Sequence, residues 1–471
     1  MIELLNICGF EAQELESELP RIKKAFDRMG ITKEDIERAK QRLSTYYDVE
    51  LTGIRKILRL CILDLVNLVM AREDGKTIIV YGYMSLVFRA LLLVFMSKSR
   101  EAHFAMPYQV SQIVLGCVFG KLNPIMEEAE RMWLRSGVFS HCANLKTVVG
   151  LMESNLIPKP DFIVTSGYLC DTAPKTADLL QELYDIPIFY QDTCQDRLYK
   201  DYPYAKGPLE LFSKNLRRSV GEIQEAVGVE ITDDFIWEVL SAQGKLSSSL
   251  GRLQDLLENS DPMPISPTHD VLIMALRQLS RSSDDMEEII DAVDTLYEEV
   301  LERVNRGVGV VDKGSPRVLA VLPPHSTDPR LEHLICETGI ALVSQELGLY
   351  PPDGRHRPSE GGKSEDPYME ISLPLLSSLA SNTLGGRISI LKGACERLNV
   401  DGVLIRSHVG CRHVAGDVIL IKNAITNELG IPALLLEWEN FDPRVFDHEQ
   451  YRYRRDLELF KTMLTSGNKK T

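Results

Sequence analysis

No two of the nine cysteines in this 471-residue chain stand in a Cys-x-x-Cys pair, so spacing alone does not mark a metal site. Long apolar runs are also missing. Leu91–Met96 is short and Ile57–Met70 is broken by Arg59 and Asp64, and neither approaches the roughly 20 residues of a membrane span. The opening Met-Ile-Glu-Leu-Leu-Asn lacks the basic segment and apolar run of a secretory leader. A cytoplasmic protein is expected, in which nine cysteines are core thiols, catalytic thiols or metal ligands rather than a disulfide framework. Positive charge is in deficit: 53 Lys and Arg against 68 Asp and Glu, a net charge of −15 that argues against nucleic acid as the main partner. A Walker A loop is absent too. Gly361-Gly362-Lys363-Ser364 ends like one, but Arg357 stands where the first glycine belongs, in a polar stretch rather than a strand-to-helix turn. If ATP is spent, a partner spends it.

What is present is the composition of a globular protein, 44% hydrophobic and 26% charged, on a chain too long for one ordinary core. Residues from about 11 to 73 carry apolar positions at helical spacing, as in Ile54, Ile57, Leu58, Cys61 and Ile62. Short apolar runs then alternate with helical pattern: Thr77–Gly82, His103–Met106, Asp161–Thr165 and Ile186–Tyr190. A helical stretch follows from about Leu209 to Val308. A second alternation comprises Arg317–Leu322, Ile340–Val343, Val403–Arg406 and Ala433–Leu436. Such alternation implies parallel sheets with helices on both faces. The expected fold is α/β, with two flavodoxin-like parallel-sheet lobes, an N-terminal helical extension and a helical connector. The expected divisions are 1–75 (helical extension), 76–208 (first lobe), 209–314 (connector) and 315–471 (second lobe).

Two segments share a frame. Asp161-Phe-Ile-Val-Thr-Ser-Gly-Tyr-Leu-Cys170 leads through a helical stretch to Ile186-Pro187, and Asp401-Gly-Val-Leu-Ile-Arg-Ser-His-Val-Gly-Cys411 leads through another to Ile431-Pro432. In each, a strand ends in a short loop and a cysteine opens a helix; Cys142 stands at a third such place. A thiol at a helix N-terminus feels the positive end of the dipole, which favours thiolate. Ligands of open parallel sheets bind beyond the carboxyl ends of the strands. Two facing lobes would place Cys142 and Cys170 on one wall of a cleft and Cys411 on the other, an arrangement suited to an iron–sulfur cluster.

These landmarks, with Lys146 and Gly150 after Cys142, Ile157-Pro-Lys-Pro-Asp161, Lys175, Asp192, Cys336-Glu-Thr-Gly339 and Gly430-Ile-Pro-Ala-Leu-Leu-Leu-Glu437 followed by Asp442 and Arg444, give a chain that resembles a known family. It is similar to the iron–sulfur subunits of 2-hydroxyacyl-CoA dehydratases and ATP-dependent benzoyl-CoA reductases, from about Gly75 to Leu464. The resemblance implies a 4Fe–4S cluster on Cys142, Cys170 and Cys411, with one iron lacking a protein thiolate. It also implies an ATP-hydrolysing iron–sulfur activator that delivers single low-potential electrons, a related subunit or second copy as dimer partner, and a CoA thioester substrate. The thioester would be reduced to a ketyl-type radical anion, for dehydration or for ring reduction. Some relatives carry an 8Fe–9S double-cubane cluster and reduce small molecules. That reading stays open, as does an electron-relay subunit within a heterodimer.

Other residues are candidates for smaller parts. Cys194 and Cys117 are either extra cluster ligands or packing residues, and Cys336 belongs with them; Cys8, Cys61 and Cys395 read as buried packing thiols. His141 and His408 either donate to cluster sulfur or a substrate carbonyl or are ordinary loop histidines. Ser407, Ser166 and Gly410 are candidate loop donors. Arg412 either offsets cluster charge or is exposed. Asp171 reads as a helix cap, and Lys146 and Lys175 as structural residues or phosphate contacts.

Overall fold

The computed structural model describes residues 1–83, 86–136, 142–167, 170–191, 206–322, 327–346, 365–376, 384–408, 411, 415–438 and 442–467. Four helices come first: α1 (Ile2–Ile7), α2 (Ala12–Arg28), α3 (Lys33–Tyr46) and α4 (Thr52–Met70). Thr32 and Asp35 close a reciprocal capping box at the start of α3. Nearly every residue of α4 from Ile57 onward is buried, so its apolar pattern reflects a helix enclosed on all sides rather than an amphipathic one.

The first lobe follows as β1 (Ile78–Tyr83), α5 (Leu86–Lys98), β2 (Ala102–Ala105), α6 (Pro107–Ser111), a π-helix over Gln112–Val118, α7 (Asn123–Ser136), α8 (Ala143–Glu153), β3 (Phe162–Thr165), α9 (Thr172–Tyr184) and β4 (Ile188–Tyr190). The connector comprises α10 (Lys206–Val227), α11 (Asp233–Asn259), α12 (Asp270–Ala275) and α13 (Met286–Asn305). The second lobe runs β5 (Arg317–Val321), α14 (Arg330–Glu337), β6 (Ala341–Gln345), α15 (Pro367–Leu376), α16 (Leu384–Arg397), β7 (Gly402–His408), α17 (Val418–Leu429), β8 (Ala433–Trp438) and α18 (Pro443–Gly467).

Both sheets have four parallel strands in one order, β2-β1-β3-β4 and β6-β5-β7-β8. The chain therefore reverses direction across each sheet between β1 and β3 and between β5 and β7, where ligands of such folds bind. Side-chain alternation explains the two-sided cover. Leu319, Val321, Val403 and Ile405 face a core shared with α16 and α17, whereas Val318, Ala320 and Leu404 face one shared with α14 and α18. The first lobe shares one continuous core with the N-terminal helices and the connector.

The paired frames do the same local work. Asp161 accepts a hydrogen bond from the Ile79 N–H (2.7 Å), and Asp401 accepts one from the Arg317 N–H (2.8 Å), so each aspartate fixes the start of the neighbouring first strand. At the far ends, Asp185 (φ 57°) and Gly430 (φ 68°) stop α9 and α17 in the left-handed region, each returning its N–H to the helix. Ile-Pro then enters β4 or β8. Among the described residues no helix is long and apolar enough to cross a membrane.

Candidate functional site

Cys142 is the N-cap of α8, with extended backbone (φ −76°, ψ 163°); its carbonyl accepts from the N–H groups of Leu145 (3.1 Å) and Lys146 (3.0 Å). Cys170 lies five residues past the end of β3 and one residue before Asp171, the N-cap of α9. Cys411 lies three residues past the end of β7; its N–H donates to the His408 carbonyl (3.1 Å), and its carbonyl accepts from the Ala415 N–H (2.8 Å). Cys170 and Cys411 thus follow the third strand of their lobes, beside the reversal points, whereas the element before Cys142 is the helix α7, which corrects the expectation of a strand there. Cys142 and Cys170 pack against the core of the first lobe and Cys411 against that of the second.

Cys170 and Cys411 both lie near enough to Cys142 to act on its thiol. Withdrawal from water pushes the Cys142 thiol up to about 12, and the charges of Cys170 and Cys411 act on it in the same direction. The N–H groups of Leu145 and Asn144 pull the other way without closing a cap hydrogen bond to sulfur. This corrects the expectation of a thiolate at this helix start: burial and two neighbouring thiols outweigh the helix end. A bound cation reverses that balance, since a coordinating thiol is deprotonated outright. Among the described residues no three His, Cys, Asp or Glu side chains converge tightly enough for a single metal ion. A polynuclear cluster holds its thiolates further apart than one ion does, and three half-buried sulfurs backed by apolar cores fit such a guest.

Charged groups brace this region. Lys146 donates to Glu130 on α7 (2.7 Å), and Glu130 also accepts from Arg444 at the head of α18 (2.6 Å). Held chiefly by Arg444 and then by Lys146, the Glu130 carboxyl falls to about 2. In the second lobe Arg387 on α16 binds Glu346 and Asp417, the latter at 3.1 Å. Lys175 pairs with Asp171 at 2.9 Å. Asp171 occupies the N-cap position but its side chain makes no cap bond, because the carboxylate turns to the lysine instead; this revises its reading as a simple cap.

Ser407 and His408 end β7 and are buried, as is Ser166 after β3. Cys117 is fully buried on the π-helix, where its strongest electrostatic neighbours are Asp328, Arg42, Tyr47 and Glu332. Cys8, Cys61 and Cys395 are buried. Cys336 is half-buried and directs its sulfur at the Val310 carbonyl (3.7 Å). His141, Cys194, Asp192, Gly410, Arg412, His413 and the Gly361–Ser364 stretch lie outside the described residues.

Sequence reasoning passed over a row of buried amides beside Cys142. Gln112, at the start of the π-helix, donates to Asn144 Oδ1 (2.7 Å), and Asn144 is the second residue of α8. The available signal was Gln109 and Gln112 at helical spacing in the stretch from Met106 to Phe119, where the other residues are mostly apolar. π-Helices are frequent at functional sites. Arg42 braces the end of this helix, donating to the carbonyls of Cys117 (2.9 Å) and Gly116 (3.3 Å).

Comparison with known proteins adds two kinds of likeness. The profile of the family described as 2-hydroxyglutaryl-CoA dehydratase, D-component, matches residues 104–460. A benzoyl-CoA reductase subunit of Thauera aromatica is 25% identical over 346 residues, which cover 69% of this chain and 76% of that one. The (R)-phenyllactyl-CoA dehydratase alpha subunit of Clostridium sporogenes is 23% identical over 348 residues, covering 71% and 79%.

Proposed function

Since the chain belongs to the 2-hydroxyglutaryl-CoA dehydratase, D-component family, we propose that it is the iron–sulfur subunit of an enzyme that dehydrates or reduces a CoA thioester. Cys142, Cys170 and Cys411 would hold a 4Fe–4S cluster with one iron free of protein thiolate. An ATP-hydrolysing iron–sulfur activator would deliver electrons singly, and a related subunit or second copy would complete the enzyme. The observation that carries this reading is that Cys170 and Cys411, each past the third strand of its lobe, both lie near Cys142 at the start of α8.

When bound, the cluster supplies one-electron chemistry at low potential. The chain's own residues supply the setting. The apolar cores behind the three sulfurs would keep water from a bound cluster. The α8 N-terminus turns its N–H groups toward the Cys142 sulfur, where they favour negative charge. Glu130, Lys146 and Arg444 hold the cysteine-bearing α8 against the opposite lobe. Buried Ser407 and His408 end a central strand, and the His408 carbonyl accepts from the Cys411 N–H.

The test is iron and acid-labile sulfide per chain after anaerobic purification, with an EPR spectrum of the reduced protein. About four irons per chain is the expected result. About eight would replace the single cluster with a double cubane and turn the search to small unsaturated substrates. Neither metal nor sulfide, after reconstitution, would overturn the assignment.

A further inference from the structure

Gln109 lies on α6, four residues beyond the end of β2, and is only 5% exposed. Its Nε2 has no hydrogen-bond partner among the described residues. A buried amide donor left unpaired costs free energy comparable to a lost hydrogen bond, so a side chain kept in that state calls for a guest.

Its position limits what the guest is. Gln109 and Gln112 are three residues apart and share a helix face. Gln112 reaches α8 through Asn144, two residues from Cys142, with the Asn144 N–H among the groups that act on the Cys142 sulfur. Helical side chains lean toward their own N-terminus, and the N-terminus of α6 is the carboxyl end of β2. Gln109 therefore leans from the amide row toward the end of the sheet where ligands bind. The adjacent Tyr108 points elsewhere, donating to Gln278 of the connector (2.9 Å). The spare group is a neutral donor, which suits an uncharged oxygen acceptor better than a phosphate or carboxylate.

We propose that the Gln109 carboxamide donates a hydrogen bond to the carbonyl oxygen of the substrate thioester and so positions the acyl group beside the cysteine triad. This rests on the CoA-thioester reading above. Gln109 would be a binding residue, paired with solvent or nothing in the empty protein and with the thioester in the complex.

The test compares two ligands that differ only at that oxygen. Benzoyl-CoA and S-benzyl-CoA, in which CH2 replaces the carbonyl, are titrated anaerobically into the holoprotein, as are phenyllactyl-CoA and its thioether. Wild type should bind the thioester of at least one pair more tightly than the thioether. Gln109→Met should weaken that thioester about ten-fold, the equivalent of one neutral hydrogen bond, and leave thioether affinity, iron content and sulfide content unchanged. Because the removed donor has no partner among the described residues, the empty variant should melt at or above the wild-type temperature; Gln109→Leu is measured beside it. Retained thioester preference in both variants would show that Gln109 binds a water only and would overturn the proposal while leaving the thioester reading intact. Equal weakening of thioester and thioether, or unfolding of both variants, would overturn it too. If wild type binds no thioester of the panel, both readings fall.

Discussion

Arg444 on α18 and Glu130 on α7 form an ion pair of 2.6 Å that joins the second lobe to the first. The same carboxylate oxygen receives Lys146 from α8, so the helix that begins at Cys142 is fastened to the helix that closes the chain.

Glu130→Gln should therefore weaken the protein in a pH-dependent way. The Glu130 carboxyl drops from an ordinary value of 4.5 to about 2, so its contribution is present above pH 4.5 and is lost as pH falls toward 2. Allowing for solvent screening of a partly exposed pair, the difference between wild type and variant should be about 1 kcal/mol at neutral pH. Denaturant unfolding at a series of pH values checks this. A difference that persists unchanged at pH 2 would contradict it.

Asp270 should behave in the opposite sense. It is half-buried in the connector and accepts from Gln345 of β6. Burial raises its carboxyl from 3.8 to about 7. The folded protein then holds a proton that the unfolded chain releases, so stability declines as pH rises from about 4 through 7. Asp270→Asn keeps an oxygen for Gln345 and removes that decline. The expected gain is about 1–2 kcal/mol at pH 8 and little at pH 4, read from melting curves at the two values.

Gly150→Ala tests the packing beneath Cys142. A Cβ there would overlap the Ile125 carbonyl of α7, a backbone group that cannot swing aside. Overpacking of this kind costs about 1–3 kcal/mol, and the strain would move α8 and its N-cap. The variant should melt lower than wild type and, on the cluster reading, bind less iron. Unchanged melting would mean that α7 and α8 are less tightly held than they are here.

Replacement of Cys142, Cys170 or Cys411 by Ala should each deplete iron and sulfide, whereas Cys395→Ala, at a buried packing site in the second core, should leave them in place. The purified chain alone should not hydrolyse ATP. Steady turnover of ATP without a partner would remove the need for a separate activator.

The strands were legible because each is a short apolar run with a local stop, and the shared Asp161 and Asp401 frames mark equivalent strand starts. Cys170 and Cys411 could be placed from those frames. Other features depend on contacts distant in sequence. Arg406 sits 1% exposed in the middle of β7 because Glu332 and Gln345, from two other elements, receive its guanidinium; nothing around residue 406 announces those partners. The pairing of Glu130 with Arg444 spans more of the chain still. Asp171 shows the limit of local rules: the cap position was right, but a lysine one turn along takes the carboxylate.

The common strand order has a consequence for ancestry and symmetry. In both halves the helix before the third strand, α8 or α16, carries a cation as its fourth residue, Lys146 or Arg387, and each cation grips acidic groups. The two lobes thus repeat one strand order and one helix-borne cation, as two copies of a unit would. A faithful duplication would offer four thiols, a matched pair from each copy. The chain offers three, for the residue before α16 is Thr383 where Cys142 stands before α8. On the cluster reading, a four-cornered guest would then find sulfur at three corners, and the side facing α16 would stay open.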